Sequence, residues 1–242
     1  MKRFITTKIS FRKAADFKRL LVKYLPTFIL KKINGVLINF VPREIYTSDV
    51  LFIHVPKVAG TSISRSLYGK SIGHQTANFI YKVEPSLKSE KISISILRDP
   101  VERAYSAFQF MKIGGTDDVA VEKLKSYDGC QYNDFSSFVK NWLEPNFDNV
   151  HSFDYVFWPQ SWFVCNDDGD VLVDRIFFMD DIASLESFLL DAGYVKGKLE
   201  RANASGFDSK SVFINEETKD IIRKLYKKDY DLLKNIKLTK SV

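Results

Sequence analysis

Residues 50–66, Val-Leu-Phe-Ile-His-Val-Pro-Lys-Val-Ala-Gly-Thr-Ser-Ile-Ser-Arg-Ser, decide the fold of this chain. The segment begins with a short apolar run, is interrupted by Pro56, and takes helical spacing from Thr61 through Ile63 and Leu67. This pattern predicts a buried strand, a tight turn and the first turn of a helix. Such a turn points backbone N–H groups and the positive end of the helix dipole at one place, and therefore suits an anion.

The side chains of this turn also favour an anion. A lysine supplies a full positive charge, a glycine allows close approach of the backbone, and two hydroxyls lie at the helix start; the six residues are Lys57, Val58, Ala59, Gly60, Thr61 and Ser62. The alternative is an ordinary strand-to-helix connection capped by Thr61 or Ser62. The common nucleotide triphosphatase loop does not fit, because there the lysine follows the last glycine, whereas here it precedes the glycine.

A second strand and helix carry a further candidate anion site. Residues 91–97 alternate between apolar and polar and predict a strand, and Asp99 and Pro100 are suited to the start of a helix. Arg98 then lies at the carboxyl end of a strand, where open α/β sheets bind ligands, and Ser106 follows about two helical turns later. A guanidinium and a hydroxyl suit a phosphate monoester, although a salt bridge to a carboxylate is the alternative for the arginine.

The order Pro-Lys-x-Ala-Gly-Thr-Ser at 56–62 resembles the 5′-phosphosulfate loop of sulfotransferases that use 3′-phosphoadenosine 5′-phosphosulfate (PAPS). The order Arg-Asp-Pro-x-x-Arg-x-x-Ser-x-Phe at 98–108 resembles the segment in which an Arg and a Ser of that family bind the 3′-phosphate. The resemblance covers about residues 50–235 and is to the carbohydrate-directed, type 2 branch. It implies an α/β fold in which a parallel sheet is flanked by helices, related to the P-loop nucleotide kinases. It also implies that residues 57–62, Arg98 and Ser106 bind PAPS.

His74 is the candidate general base. It is one of three histidines in the chain and is predicted to lie in a loop just before a helix. In the family branch with a histidine base, that residue lies between the two phosphate motifs, as His74 does. A neutral imidazole would accept the proton of the acceptor hydroxyl, and Lys57 would stabilise the charge of the departing 5′-phosphate. His151 and Glu84 are the reserve candidates.

The resemblance implies transfer of a sulfuryl group from PAPS to a hydroxyl of an acceptor, with a carbohydrate as the acceptor class and no metal. Gln160 resembles a Pro-Gln element of membrane-type carbohydrate sulfotransferases and is a candidate acceptor contact, and Arg201 in a late polar loop is a candidate cofactor contact. Two rival functions remain: a nucleotide or small-molecule kinase of related fold, and a non-catalytic basic binding protein. The displaced lysine and the segment at 98–108 argue against the kinase.

The positive charge lies mainly at the start of the chain. The net charge is +6, and residues 1–50 contain eleven lysines and arginines against three acidic residues. We therefore divide the chain into a basic N-terminal helical arm, 1–49, and a sulfotransferase domain, 50–242. The sequence of the arm predicts one of two structures: an amphipathic helix that contacts a membrane surface through residues 1–45, or a helix packed on the domain. No nucleic acid partner is expected, and the absence of an apolar span, signal or disulfide pattern predicts a cytoplasmic location, peripheral to the membrane if the arm binds it.

The remaining elements are predicted from periodicity and from capping residues. They are a short helix over 119–124 inside a loop-rich insertion at 112–133, a helix over 135–143 ended by Pro145, a hairpin turn at 166–170, a strand over 171–179, a helix over 182–190 and a terminal helix over 216–233.

Overall fold

The computed structural model describes residues 41–116, 119–120, 132–199 and 213–239. Most of the predicted N-terminal arm, Arg201 and the greater part of the insertion therefore lie outside the described residues. Of the arm, the structure describes a 3₁₀ helix at Arg43–Thr47.

A parallel sheet forms the centre of the fold, which confirms the α/β class. In the described ranges it has three strands, β1 (Val50–Ile53), β2 (Ile92–Leu97) and a later strand, β5 (Arg175–Phe178), in the order β1-β2-β5. All four residues of β1 are buried, as expected for a parallel sheet covered by helices. Because β1 and β2 pair in parallel, their carboxyl ends meet at the same edge of the sheet.

The two strand-to-helix units that were predicted from the sequence are present. After β1 the chain turns into α1 (Gly60–Tyr68), and after β2 it enters α4 (Pro100–Lys112) with Asp99 as a side-chain cap. The hydroxyl of Tyr68 accepts a hydrogen bond from Phe52 N at 2.8 Å and donates one to Val50 O at 2.9 Å, which holds the end of α1 against β1.

Helices cover the sheet and connect its strands. The others in the described ranges are α2 (Ala77–Val83), α3 (Leu87–Glu90), α5 (Phe135–Phe138), α6 (Glu144–Asn146), α7 (Ser161–Val164), α8 (Ile182–Asp191), α9 (Glu216–Leu225) and α10 (Lys227–Thr239). A π-helical turn, Val139–Leu143, joins α5 to α6, and 3₁₀ helices occur at Phe147–Ser152, Tyr155–Phe157 and Met179–Asp181. None of the described helices is long and apolar enough to cross a membrane.

Four sequence predictions differ from the structure, one of which is the terminal helix over 216–233, divided at Tyr226. The insertion pairs the two-residue strands β3 (Gly115–Thr116) and β4 (Val119–Ala120), so the predicted helix over 119–124 is wrong at its start, and its other residues lie outside the described part. Pro145 does not end a helix, because it occupies the first turn of α6, where a proline needs no N–H partner. The predicted strand over 171–179 is shortened to β5.

The shortening of β5 and the division of the terminal helix have visible causes. Val171 forms only an isolated antiparallel bridge to Cys165, which confirms the hairpin turn. The carboxylate of Asp174, just before β5, accepts hydrogen bonds from Ser93 N and Oγ at 2.8 and 2.6 Å. The terminal helix is interrupted at Tyr226, whose buried hydroxyl donates to Phe157 O at 2.7 Å. Tertiary hydrogen bonds therefore override the local periodicity at both places.

Candidate active site

The loop after β1 adopts a strained backbone. Lys57 and Ala59 have φ angles of 68° and 59°, in the left-handed region that costs a non-glycine residue roughly 1 kcal/mol or more. Ala59 is the N-cap of α1 and offers no side-chain oxygen to the first N–H groups of the helix. Thr61 and Ser62 lie inside the first turn, so the alternative in which one of them is the cap is wrong. The loop and helix start can thus direct N–H groups at an anion.

Gly60 is required by a close approach to a residue that the sequence analysis did not single out. A Cβ atom on Gly60 would lie 2.1 Å from Cδ2 of His54, a distance that no side chain tolerates. The His54 ring is only 4% exposed, and its Nδ1 lies 3.3 Å from Ile72 O. Burial lowers the pKa of His54 to about 4, so the ring beneath the loop is neutral.

Lys57 carries the charge of the loop. Its Nζ lies 4.3 Å from the centroid of the Phe110 ring on α4, which faces the loop. Burial, together with the positive charge of Arg98, lowers the pKa of Lys57 to about 8, while the carboxylate of Asp154 acts in the opposite direction. A partly desolvated ammonium of this kind gains more from an arriving anion than a lysine in water does.

Arg98 brings the second motif into contact with the first. It follows the last residue of β2, and its Nη1 donates to the backbone carbonyl of Lys57 at 3.4 Å. Its Nε donates to Glu102 Oε2 at 3.2 Å, so the alternative of a salt bridge is also realised. The guanidinium therefore lies at the junction of the loop and α4.

Ser106 lies on the face of α4 that also carries Glu102 and Phe110. Glu102, Ser106 and Phe110 of α4 are spaced by four residues, and side chains at that spacing are neighbours along one face of a helix. Glu102 binds Arg98 and Phe110 contacts Lys57, so the half-buried Ser106 lies on the helix face between these two residues. The structure thus brings Lys57 and Arg98 into contact, and Ser106 follows on the helix that begins beside them.

Gln160, the candidate acceptor contact, lies in the interior behind Arg98. The side chain is fully buried, and its amide hydrogen-bonds the backbone of Arg98 in both directions, at 2.9 and 2.8 Å. This placement favours an indirect role through Arg98 over direct contact with an acceptor.

His74 lies close to the loop, beside the end of β1. Its Nδ1 is 2.9 Å from the carbonyl oxygen of His54, and its ring centroid is 4.0 Å from that of His54 and 4.7 Å from that of Tyr155. A carbonyl oxygen can only accept, so Nδ1 carries a proton and Nε2 of the neutral ring carries the lone pair. The backbone therefore fixes the tautomer that a general base needs.

The reserve bases lie elsewhere. His151 lines a cleft of about 1090 Å³ whose described lining does not include Lys57 or His74. Glu84 lies at the end of α2 and accepts a hydrogen bond from Ser86 Oγ at 3.0 Å. Of the three candidate bases, His74 is the one that contacts His54, just before the loop.

A second cleft, of about 460 Å³, opens beside Arg98 at the carboxyl ends of β2 and β5. Apolar residues of both strands and two lysines of α10 share its lining, which includes Leu97, Phe178, Lys234 and Lys237. This is the edge of a parallel sheet at which ligands bind. In the described part of the chain, no group of three or more His, Cys, Asp or Glu residues could hold a metal ion.

Sequence reasoning missed two residues of this site. His54 could have been noticed as a histidine directly after a buried strand, two residues before Pro56. Asp154, 3% exposed, acts on the pKa of Lys57 from a 3₁₀ turn that it caps through Val156 N, and nothing in the local sequence distinguishes it from an ordinary capping residue.

These features place two motifs that suit anionic groups on adjacent βα units, with His74 beside the first of them. The sequence model of the Sulfotransferase family matches residues 46–234, most of the chain. The protein therefore belongs to the sulfotransferase family, and its parallel sheet with flanking helices is the α/β fold of that family. A search of curated proteins finds no match to this chain.

Proposed function

We propose that the protein transfers a sulfuryl group from PAPS to a hydroxyl of a carbohydrate acceptor. The observation that carries this proposal is the hydrogen bond from Arg98 Nη1 to Lys57 O, because it joins two anion-binding motifs from separate βα units. A nucleotide with phosphates at both the 3′ and 5′ positions requires two such sites close together. A nucleotide with phosphates only at the 5′ position would leave one of them unused.

The residues at this place suit the donor. The loop N–H groups and Lys57 would hold the 5′-phosphosulfate, and Arg98 with Ser106 would hold the 3′-phosphate. When bound, PAPS supplies an activated sulfuryl group, whose bond to the 5′-phosphate oxygen breaks as the acceptor oxygen bonds to sulfur. Lys57 then compensates the charge that develops on the leaving phosphate.

His74 would accept the proton of the acceptor hydroxyl at Nε2. The hydrogen bond between Nδ1 and His54 O keeps that tautomer in place and stabilises the imidazolium formed when the proton arrives. His54 itself stays neutral because its pKa is about 4, so it does not repel the charged ring 4.0 Å away. The acceptor therefore has to approach His74 from the Nε2 side of its ring.

Sulfate transfer from labelled PAPS to a panel of glycans tests the proposal. We expect labelled product with at least one glycan, loss of it in Lys57→Met, and a higher unfolding temperature with 3′-phosphoadenosine 5′-phosphate (PAP) than with ATP. An equal or larger shift with ATP and magnesium would favour the kinase. Stabilisation by PAP without transfer to any acceptor would favour a non-catalytic binding protein.

A further inference from the structure

The end of β2 is extended by a side chain. Arg98 lies one residue beyond the last register pair of the sheet, Leu97 with Phe178. At that point Gln160 takes the place of a neighbouring strand: its Oε1 accepts from Arg98 N at 2.9 Å, and its Nε2 donates to Arg98 O at 2.8 Å. One buried amide therefore satisfies both backbone groups of the arginine.

Two buried side chains, Asp229 and Arg103, hold the segment that carries Gln160. Asp229 of α10 is 0% exposed and accepts from the backbone N–H groups of Gln160 and Ser161 at 2.8 and 2.9 Å. Arg103 of α4, also 0% exposed, donates to two backbone carbonyls of the segment 156–158 at 3.0 and 2.6 Å. The segment that carries Gln160 is thus fixed to both α4 and α10.

A surface arginine can adjust its position freely, whereas the position of Arg98 depends on the anchoring of Gln160. Its guanidinium has to reach Glu102 and the Lys57 carbonyl at once, at 3.2 and 3.4 Å, with its backbone at the very end of a strand. Charge-assisted bonds from a guanidinium to a phosphate are directional, and a displacement of about 1 Å can cost most of their benefit.

We propose that Gln160 is the positioning residue of Arg98, and that the preference of this site for a 3′-phosphorylated nucleotide depends on its two hydrogen bonds to the Arg98 backbone. The inference rests on the proposed function, since it assumes that Arg98 binds the 3′-phosphate. Because Gln160 is fully buried and its amide bonds the Arg98 backbone, it would act on the nucleotide through the arginine and not by direct contact.

The test compares the affinities of PAP and AMP, which differ by the 3′-phosphate, measured by calorimetry on the full chain. Gln160→Met keeps the length of the side chain and removes both hydrogen bonds. We expect the ratio of the AMP Kd to the PAP Kd to fall about tenfold or more, with AMP affinity changed less than about threefold. The matched control is Tyr226→Phe, which removes the 2.7 Å bond to Phe157 O in the same segment and should keep the wild-type ratio.

A second variant covers the case in which Gln160→Met does not fold. In Gln160→Glu the protonated acid can both donate to Arg98 O and accept from Arg98 N, whereas the ionised form can only accept. The ratio of the AMP Kd to the PAP Kd in Gln160→Glu should be close to the wild-type ratio at low pH. It should fall below the wild-type ratio, measured at the same pH, as the pH rises.

A folded Gln160→Met with the wild-type ratio would overturn the inference, as would a Gln160→Glu ratio that stays at the wild-type value while the introduced carboxyl ionises. Either result would leave the proposed function intact. A wild-type protein that binds AMP as tightly as PAP would instead overturn the proposed function and the inference with it.

Discussion

Replacement of Lys57 by methionine should make the unliganded protein more stable while it removes nucleotide binding. Burial lowers the pKa of this lysine from 10.5 to about 8. Each tenfold change in an ionisation constant corresponds to about 1.4 kcal/mol, so the charged side chain costs the folded protein up to about 3 kcal/mol near pH 7. Because the side chain is partly exposed, we expect Lys57→Met to raise the free energy of unfolding by about 1 to 3 kcal/mol.

The stability difference between Lys57→Met and the wild type should depend on pH. Between pH 8 and 10.5 the unfolded chain holds a proton on Lys57 that the folded protein has released, so wild-type stability gains from this residue as the pH rises. The advantage of Lys57→Met should therefore be full below about pH 8 and disappear near pH 10.5. Nucleotide binding by the wild type should weaken about tenfold per pH unit above 8, since the neutral amine no longer attracts the phosphate.

Urea unfolding at pH 7 and near pH 10.5, with and without PAP, measures both effects. Lys88 on α3 is exposed, so Lys88→Met is the matched control and should change stability by less than about 0.5 kcal/mol. A Lys57→Met protein that is less stable than the wild type at pH 7, or that PAP still stabilises, would refute the reasoning.

Three further substitutions test the rest of the site. His74→Ala should lower kcat for sulfate transfer by about 10²- to 10⁴-fold with PAP affinity nearly unchanged, and near-normal turnover in a folded variant would exclude it as the base. Gly60→Ala should destabilise the protein by about 2 kcal/mol or more in thermal unfolding, because the new Cβ would lie 2.1 Å from His54, and adding His54→Ala should recover part of that loss. Strict additivity of the two changes would argue against the contact. Arg98→Lys keeps the charge but loses the planar fork, so the preference for PAP over AMP in calorimetry should fall about tenfold; an unchanged preference would remove the arginine from the 3′-phosphate site.

Local sequence predicted the parts of the site that local structure forms. Apolar runs and capping residues located β1, β2 and the helices after them, and parallel pairing of the two strands then brings Lys57 and Arg98 to one edge of the sheet. The loop's suitability for an anion also follows from adjacent residues. These features depend on contacts within a few positions of the chain, which periodicity records.

Contacts between distant segments could not be predicted in this way. Gln160 lies 62 residues after Arg98 and Asp229 lies 69 residues after Gln160, so neither hydrogen bond leaves a periodic signal. His54 could be noticed, but its contact with Gly60 follows from the path of the strained loop rather than from the identity of either residue. The residue type of Gln160 fits an acceptor contact, and its burial and its bonds to Arg98 could not be predicted from the local sequence.

A crystal structure of the protein with PAP tests the central claim most directly. The account predicts the 5′-phosphate against the N–H groups of 58–62 and Nζ of Lys57, and the 3′-phosphate within hydrogen-bond distance of the Arg98 guanidinium and Ser106 Oγ. A nucleotide bound elsewhere, or one whose 3′-phosphate points away from Arg98, would contradict it.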